Sequence, residues 1–205
     1  MGGKPPRCLI VAMRGAGMDC RELVAAPLAV EAFLPFGRVV EPGGGPGRAV
    51  NAGTALRFDL TGHFAHRTMA VLPALAVYRC QPQPQPVAVT MLERHPLSSQ
   101  TFIPVATARW LVVVAPIGPD GGPLPACARA FLASAGQGVS YAPGVWHSPL
   151  IALDRPADFV MLMWEVGAAE DCEARALPDP LRISLPASGW PAAGDAGVSL
   201  CPAHA

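Results

Sequence analysis

Proline and glycine interrupt this chain too often for long helices to dominate it. With 24 prolines and 21 glycines among 205 residues, the sequence disfavours a helical bundle and favours short strands joined by turns. The apolar runs between these breaks read as strands. Leu75–Cys80 is one, and Trp110–Ala115 is so uniformly apolar that burial on both faces is expected. Further strands are expected at Gly37–Glu41, Ala130–Ser134, Val139–Tyr141 and Asp158–Val166, with one short helix over Ala25–Phe36 that ends near Pro35. Pro42–Gly47 and Pro116–Pro125 read as loops, and Gln81–Pro86 as a turn or extended linker inside the domain. Strands at this spacing, with no crossover helices between them, predict a mainly β antiparallel barrel or sandwich.

A chain of this length, 51% hydrophobic, can bury a real core in one domain. That domain is expected over residues 25–177. Residues 1–24 carry no clear pattern and read as an ill-ordered lead-in, and the Pro/Ala/Gly-rich residues 178–205 read as a loose tail. The formal net charge is zero, which argues against nucleic acid or a membrane surface as the main partner. No apolar run approaches the roughly 20 residues needed to span a bilayer. The six cysteines are dispersed, with no C-x-x-C pair, and read as reduced thiols of a cytoplasmic protein.

Chemistry concentrates in Met91–Pro104. Alternation enters it from Pro86, so Glu93 and His95 are expected on the strand face that carries Val87, Val89 and Met91. An acid and an imidazole on an apolar face are costly unless paired, so they call for a function. Glu93-x-His95-x4-Gln100 and Gly136-x7-Gly144-x2-His147 resemble the two signature motifs of the cupin superfamily. Glu93 takes the first histidine place, His95 the second and Gln100 the carboxylate place, while the proline of the second motif sits one position late, at Pro143. The resemblance implies a small cupin-like jelly-roll barrel with few short helices and ligands on its inner face. On their chemistry alone, Glu93, His95, Gln100 and His147 make a mixed nitrogen and oxygen set suited to Ni²⁺, Mn²⁺, Fe²⁺ or Zn²⁺. The same four could work without metal, as base, acid and hydrogen-bond donors around an anion.

A longer resemblance runs through the chain. Glu93-Arg-His-Pro-Leu-x-Ser-Gln-x-Phe-Ile-Pro104, Arg129-Ala-Phe-Leu-Ala133, Gln137-Gly-Val and Gly144-Val-Trp-His-x-Pro-Leu150 resemble the ureidoglycolate lyase family. So do Glu31-Ala-Phe-x-Pro-Phe-Gly37, Asn51-x-Gly-Thr-Ala-x-Arg57 and Asp154-Arg-Pro-Ala-Asp-Phe159. The match spans roughly residues 25–175. It implies a homodimer that converts (S)-ureidoglycolate to glyoxylate and urea in allantoin breakdown. Under that implication His95 and His147 take the proton transfers or the metal, with Glu93 orienting or ligating. Arg57, Ser98 and Gln100 become candidates for holding the carboxylate and ureido groups, and Phe102 and Trp146 for walling the pocket. The chain departs from the family at Ser148, where a second histidine is usual, at Ala142 and Pro143, and in the runs Trp164-Glu165-Val166-Gly167 and Glu170-Asp171-Cys172.

Plainer readings exist for several of these. His147 can be a satisfied histidine at a strand start, Ser98 and Gln100 can fix a turn, and Arg57 can brace a dimer. Trp146 and Phe102 can be core, Cys172 structural, and His63 and His66 solvated loop residues. Two other functions fit the same residues: a diverged metal-dependent cupin enzyme acting on another small hydroxy-acid or ureido compound, and a non-catalytic module binding a small anion.

Overall fold

The computed structural model of the protein describes residues 22–43, 47–60, 64–67 and 71–186. It opens with β1 (Glu22–Val24), β2 (Ala26–Pro27), a single helical turn α1 (Val30–Phe33) and β3 (Gly37–Val40). A hairpin of β4 (Arg48–Val50) and β5 (Ala55–Arg57) follows. Next come β6 (Leu72–Cys80), β7 (Val87–Arg94), β8 (Gln100–Ala106) and β9 (Trp110–Ala115). Then β10 (Arg129–Ala133), β11 (Gly138–Tyr141), β12 (Trp146–His147) and β13 (Ile151–Ala152) lead to the long β14 (Ala157–Glu165) and β15 (Glu173–Ser184).

Two sheets form the barrel. The larger runs β1-β15-β7-β12-β9-β10-β2, with β13 also on β9, and the smaller runs β3-β11-β8-β14-β6. Pairing is antiparallel except at β1–β15 and β10–β2. The expected mainly β, cupin-like antiparallel architecture is therefore what the chain adopts.

Strand β9 shows why the sequence folds this way. Its even-numbered residues Trp110, Val112 and Val114 enter the core between the sheets, against Phe131, Phe159 and Met161. Its odd-numbered residues Leu111, Val113 and Ala115 enter a second core with Val89, Leu92, Trp146 and Leu181. The larger sheet curls around that second core until β1 comes against β10. Full burial of each large apolar side chain contributes about 1.5–3 kcal/mol. Trp110 also satisfies its polar atom, donating Nε1–H to the Gln137 carbonyl at 3.1 Å.

Three expectations need correction. The helix over Ala25–Phe36 shrinks to four residues, because Ala26–Pro27 pairs with β10 instead. The boundaries move outward: Glu22–Val24 pairs with Arg182–Ser184, so β15 carries the sheet through Pro178 and Pro180 to Ser184. Leu181 and Ile183 anchor it, each 1% exposed. The two prolines are tolerated because the pairing with β7 shifts register between Ala176 and Leu181. Residues 1–21 and 187–205, with the rest of the expected lead-in and tail, lie outside the described residues.

The third correction concerns the face of β7. Val87 and Val89 are buried, Thr90 and Met91 are both exposed, and Leu92 is buried in the same core as the two valines. The alternation slips by one at Thr90, opposite the register shift in β15. Glu93 therefore faces away from Val87 and Val89, into the space between the sheets.

Candidate active site

The two motif segments meet through backbone pairing. His147 of β12 stands opposite Glu93 of β7, and the turn before β12 ties back when Gly144 N–H donates to the His95 carbonyl at 2.9 Å. Gly144 has φ +83°, a left-handed conformation that glycine adopts without strain. On the other sheet, Gln100 starts β8 and lies opposite both Tyr141 and Met163. Between the sheets is a cleft of about 420 Å³ lined by Tyr78, Cys80, Glu93, His95, Gln100, Phe102, Pro149, Leu150, Met163, Glu165, Asp171 and Cys172.

A larger cleft of about 510 Å³ lies elsewhere, among Phe36, Ala115, Ile117, Cys127, Arg129 and Val145. Its guanidinium is already engaged, since Arg129 donates to the Ala32 carbonyl and covers the Phe131 ring. It lacks the paired acid and imidazole that line the smaller cleft.

Glu93, His95 and His147 each bring one ligand atom to within 4.8 Å of the others. His147 is 1% exposed and its ring stacks on Tyr141, with centroids 3.9 Å apart and planes 11° from parallel. Its Nδ1–H donates to the Val145 carbonyl at 2.9 Å, so Nε2 is left as a lone pair. Burial pulls its pKa down to about 3, helped by His95 nearby. It is neutral at physiological pH, and its 3.8 Å approach to Glu93 Oε1 is not an ion pair. Burial pushes the Glu93 carboxyl above the usual range, partly countered by His95.

His95 is fixed in the same manner. Its Nδ1–H donates to the Asp171 carbonyl at 2.7 Å, and its buried Nε2 has no hydrogen-bond partner. Asp171 is itself pinned, because its carboxylate accepts backbone N–H groups from Val166, Gly167 and Ala168. Burial opposes its ionisation, but these three donors outweigh burial and hold its pKa below the usual range.

The donor set thus converges with lone pairs foremost. Gln100 Oε1 lies 3.0 Å from His147 Nε2, and two acceptors at that distance need a shared proton, a turned amide or a cation between them. An orphaned imidazole nitrogen, a second imidazole lone pair, a carboxylate and an amide oxygen fit a divalent cation, and backbone carbonyls hold both rings from behind.

Of the residues singled out from sequence, Glu93, His95, Gln100, His147 and Phe102 come together here, with His147 just behind the lining. Three do not join them. Arg57 sits on the exposed β4–β5 hairpin, paired with Asp59 at 2.6 Å. Ser98 Oγ accepts the Trp164 N–H and donates to the Ser99 carbonyl, so both its capacities are used in fixing β14 against the β7–β8 turn. Trp146 points into the second core, capped by the Arg94 guanidinium 4.6 Å away. Arg94 pairs with Glu173 rather than Glu93. His66 is exposed and lies against the Trp164 indole, and His63 lies outside the described residues. Ser148, at the family's second histidine place, is buried with its hydroxyl unpartnered. Sequence reasoning missed Tyr78, Met163, Glu165 and Asp171, although the inward alternation of β14 was a usable signal for two of them.

A cupin-like barrel with a histidine–glutamate centre between its sheets is the class this geometry defines. The pattern of the ureidoglycolate lyase family matches residues 20–184. The chain is 46% identical over 133 residues to a ureidoglycolate lyase of Burkholderia cepacia, spanning 64% of this chain and 73% of that protein. It is 43% identical over 143 residues to one of Burkholderia mallei, spanning 69% and 82%. It is 35% identical over 165 residues to one of Pseudomonas fluorescens Pf0-1, spanning 80% and 97%. Among solved structures, a dTDP-6-deoxy-D-glucose-3,5-epimerase of Legionella pneumophila is similar at TM-score 0.42 and 14% identity, over 73% of this chain and 82% of that one. The chain belongs to the ureidoglycolate lyase family.

Proposed function

We propose that this protein cleaves the carbon–nitrogen bond of (S)-ureidoglycolate, giving glyoxylate and urea. The observation that carries this is the convergence of the Glu93 carboxylate with a ring nitrogen of His95 and one of His147, in a chain of this family. The substrate is a carbinolamide. Loss of its hydroxyl proton turns the carbon into an aldehyde, and the departing nitrogen leaves as urea once it receives a proton.

Glu93 suits both transfers, because burial raises its carboxyl, making it a stronger base than a surface glutamate that can still return the proton. It takes the hydroxyl proton as the carbon–nitrogen bond breaks, and returns it to the nitrogen. The catalyst ends unchanged. His147, held at about 3, is a weak base and serves instead as a neutral acceptor. With Glu93 kept for the proton, His95, Gln100 and His147 would hold a divalent ion such as Ni²⁺, Mn²⁺ or Zn²⁺. When bound, the ion supplies positive charge that polarises the substrate's oxygens. Phe102 and Met163 shield the site with apolar surface.

The test is glyoxylate release from racemic ureidoglycolate, corrected for the spontaneous rate, with and without chelator. Equal release of glyoxylate and urea is expected. No release above background from folded protein supplied with Ni²⁺ or Mn²⁺ would overturn the proposal. A homodimer belongs to the same reading, supported by the exposed apolar side chains of the edge strand β6. So does a cytoplasmic location, supported by the unbridged thiols of Cys80 and Cys172; no helix among the described residues is long and apolar enough to cross a membrane.

A further inference from the structure

The cleft holds more acceptors than the proton transfers use. Glu165 lines it too, and no described arginine or lysine does. β14 sends Phe159, Met161 and Met163 inward, all buried, and Glu165 is the next residue on that face. It stands about 7 Å beyond Met163 along the strand. The Met163 sulfur lies 3.8 Å from Gln100 Nε2, and the same amide reaches His147. Glu165 is thus one strand step from the centre, and its carboxylate makes no hydrogen bond or ion pair to a described residue. Both Glu93 and Glu165 help raise the pKa of the Tyr78 hydroxyl, after burial, so both carboxylates look onto the same space.

A free carboxylate in a cleft is complementary to a planar group with two parallel N–H bonds, the fork a guanidinium offers. The ureido group of the substrate offers the same fork. We propose that Glu165 accepts both ureido N–H groups, placing the carbinol carbon at Glu93 and the two histidines, and so selects carbamoyl over acyl compounds. This rests on the lyase reading for the identity of the substrate. A site built around a substrate N–H rejects the analogue that lacks it, because the site's own polar group is left unpaired.

Two inert probes test it without turnover. N-carbamoylglycine and N-acetylglycine both lack the reactive hydroxyl and differ only in a terminal amino group against a methyl. Calorimetric binding of each would be measured with the wild-type chain, Glu165→Gln and Glu165→Ala, all verified as folded by circular dichroism. The wild type should prefer the carbamoyl probe by about 10- to 100-fold, the range of a charge-assisted hydrogen bond. Both substitutions should abolish most of that preference while leaving N-acetylglycine affinity within about threefold. Unchanged preference in the variants, or equal loss for both probes, would overturn the proposal. Glyoxylate assays in parallel keep the two readings apart: a retained preference without turnover rejects the lyase reading alone.

Discussion

The single residue on which most depends is Glu93. Its carboxyl is raised by burial, an effect that His95 partly counters. If Glu93 is the base, as proposed, it must be ionised, so kcat/KM should rise with pH through an inflection above the ordinary carboxylate range. Glu93→Gln should remove that limb and lower kcat by about 10²- to 10⁴-fold; a variant that kept the limb would reassign the base. His147 cannot supply it, since its own transition lies near pH 3. Glu93, His95 and Gln100 were legible from the sequence because polar groups clustered on a strand demand partners. Their orientation was not legible. A one-residue slip at Thr90, imposed by a strand more than eighty residues later, decides which way Glu93 points.

At the scale of elements, strands gave themselves away where both faces are apolar, as in β9, or where alternation persists, as in β14. β15 stayed hidden because its two prolines read as a break, and only the register shift opposite β7 lets them remain within a strand. Arg57, Ser98 and Trp146 stand outside the cleft for a related reason. A side chain's choice of partner is tertiary: Ser98 is consumed by the Trp164 backbone, and Trp146 by the second core. β6 carries its own prediction. It is the edge of the smaller sheet, and its outward Leu75 and Val77 are 72% and 69% exposed. A long apolar edge invites pairing unless covered. If a second copy covers it, sedimentation should show twice the chain mass, and Val77→Lys should shift the species to a single chain; a wild type that sediments as one chain would remove the homodimer.

For the whole molecule, a neutral buried histidine makes stability depend on acidity. His147 binds a proton near pH 6.5 when unfolded but only near about 3 when folded. The unfolded state therefore holds more protons between those values, and stability complete above about pH 6.5 is lost as pH falls toward 3. The loss is on the order of a few kcal/mol. Urea midpoints at pH 7 and 4.5 should differ more for the wild type than for His147→Gln; equal differences would show that the ring titrates normally. One further property belongs to β9. Because its two faces complete two separate cores, neither core can loosen without exposing the other's wall. Its amides should exchange with solvent only through global opening, so the barrel melts as one cooperative unit. The enzyme is then either whole or gone, with no long-lived state in which the cleft is lost and the rest of the barrel survives.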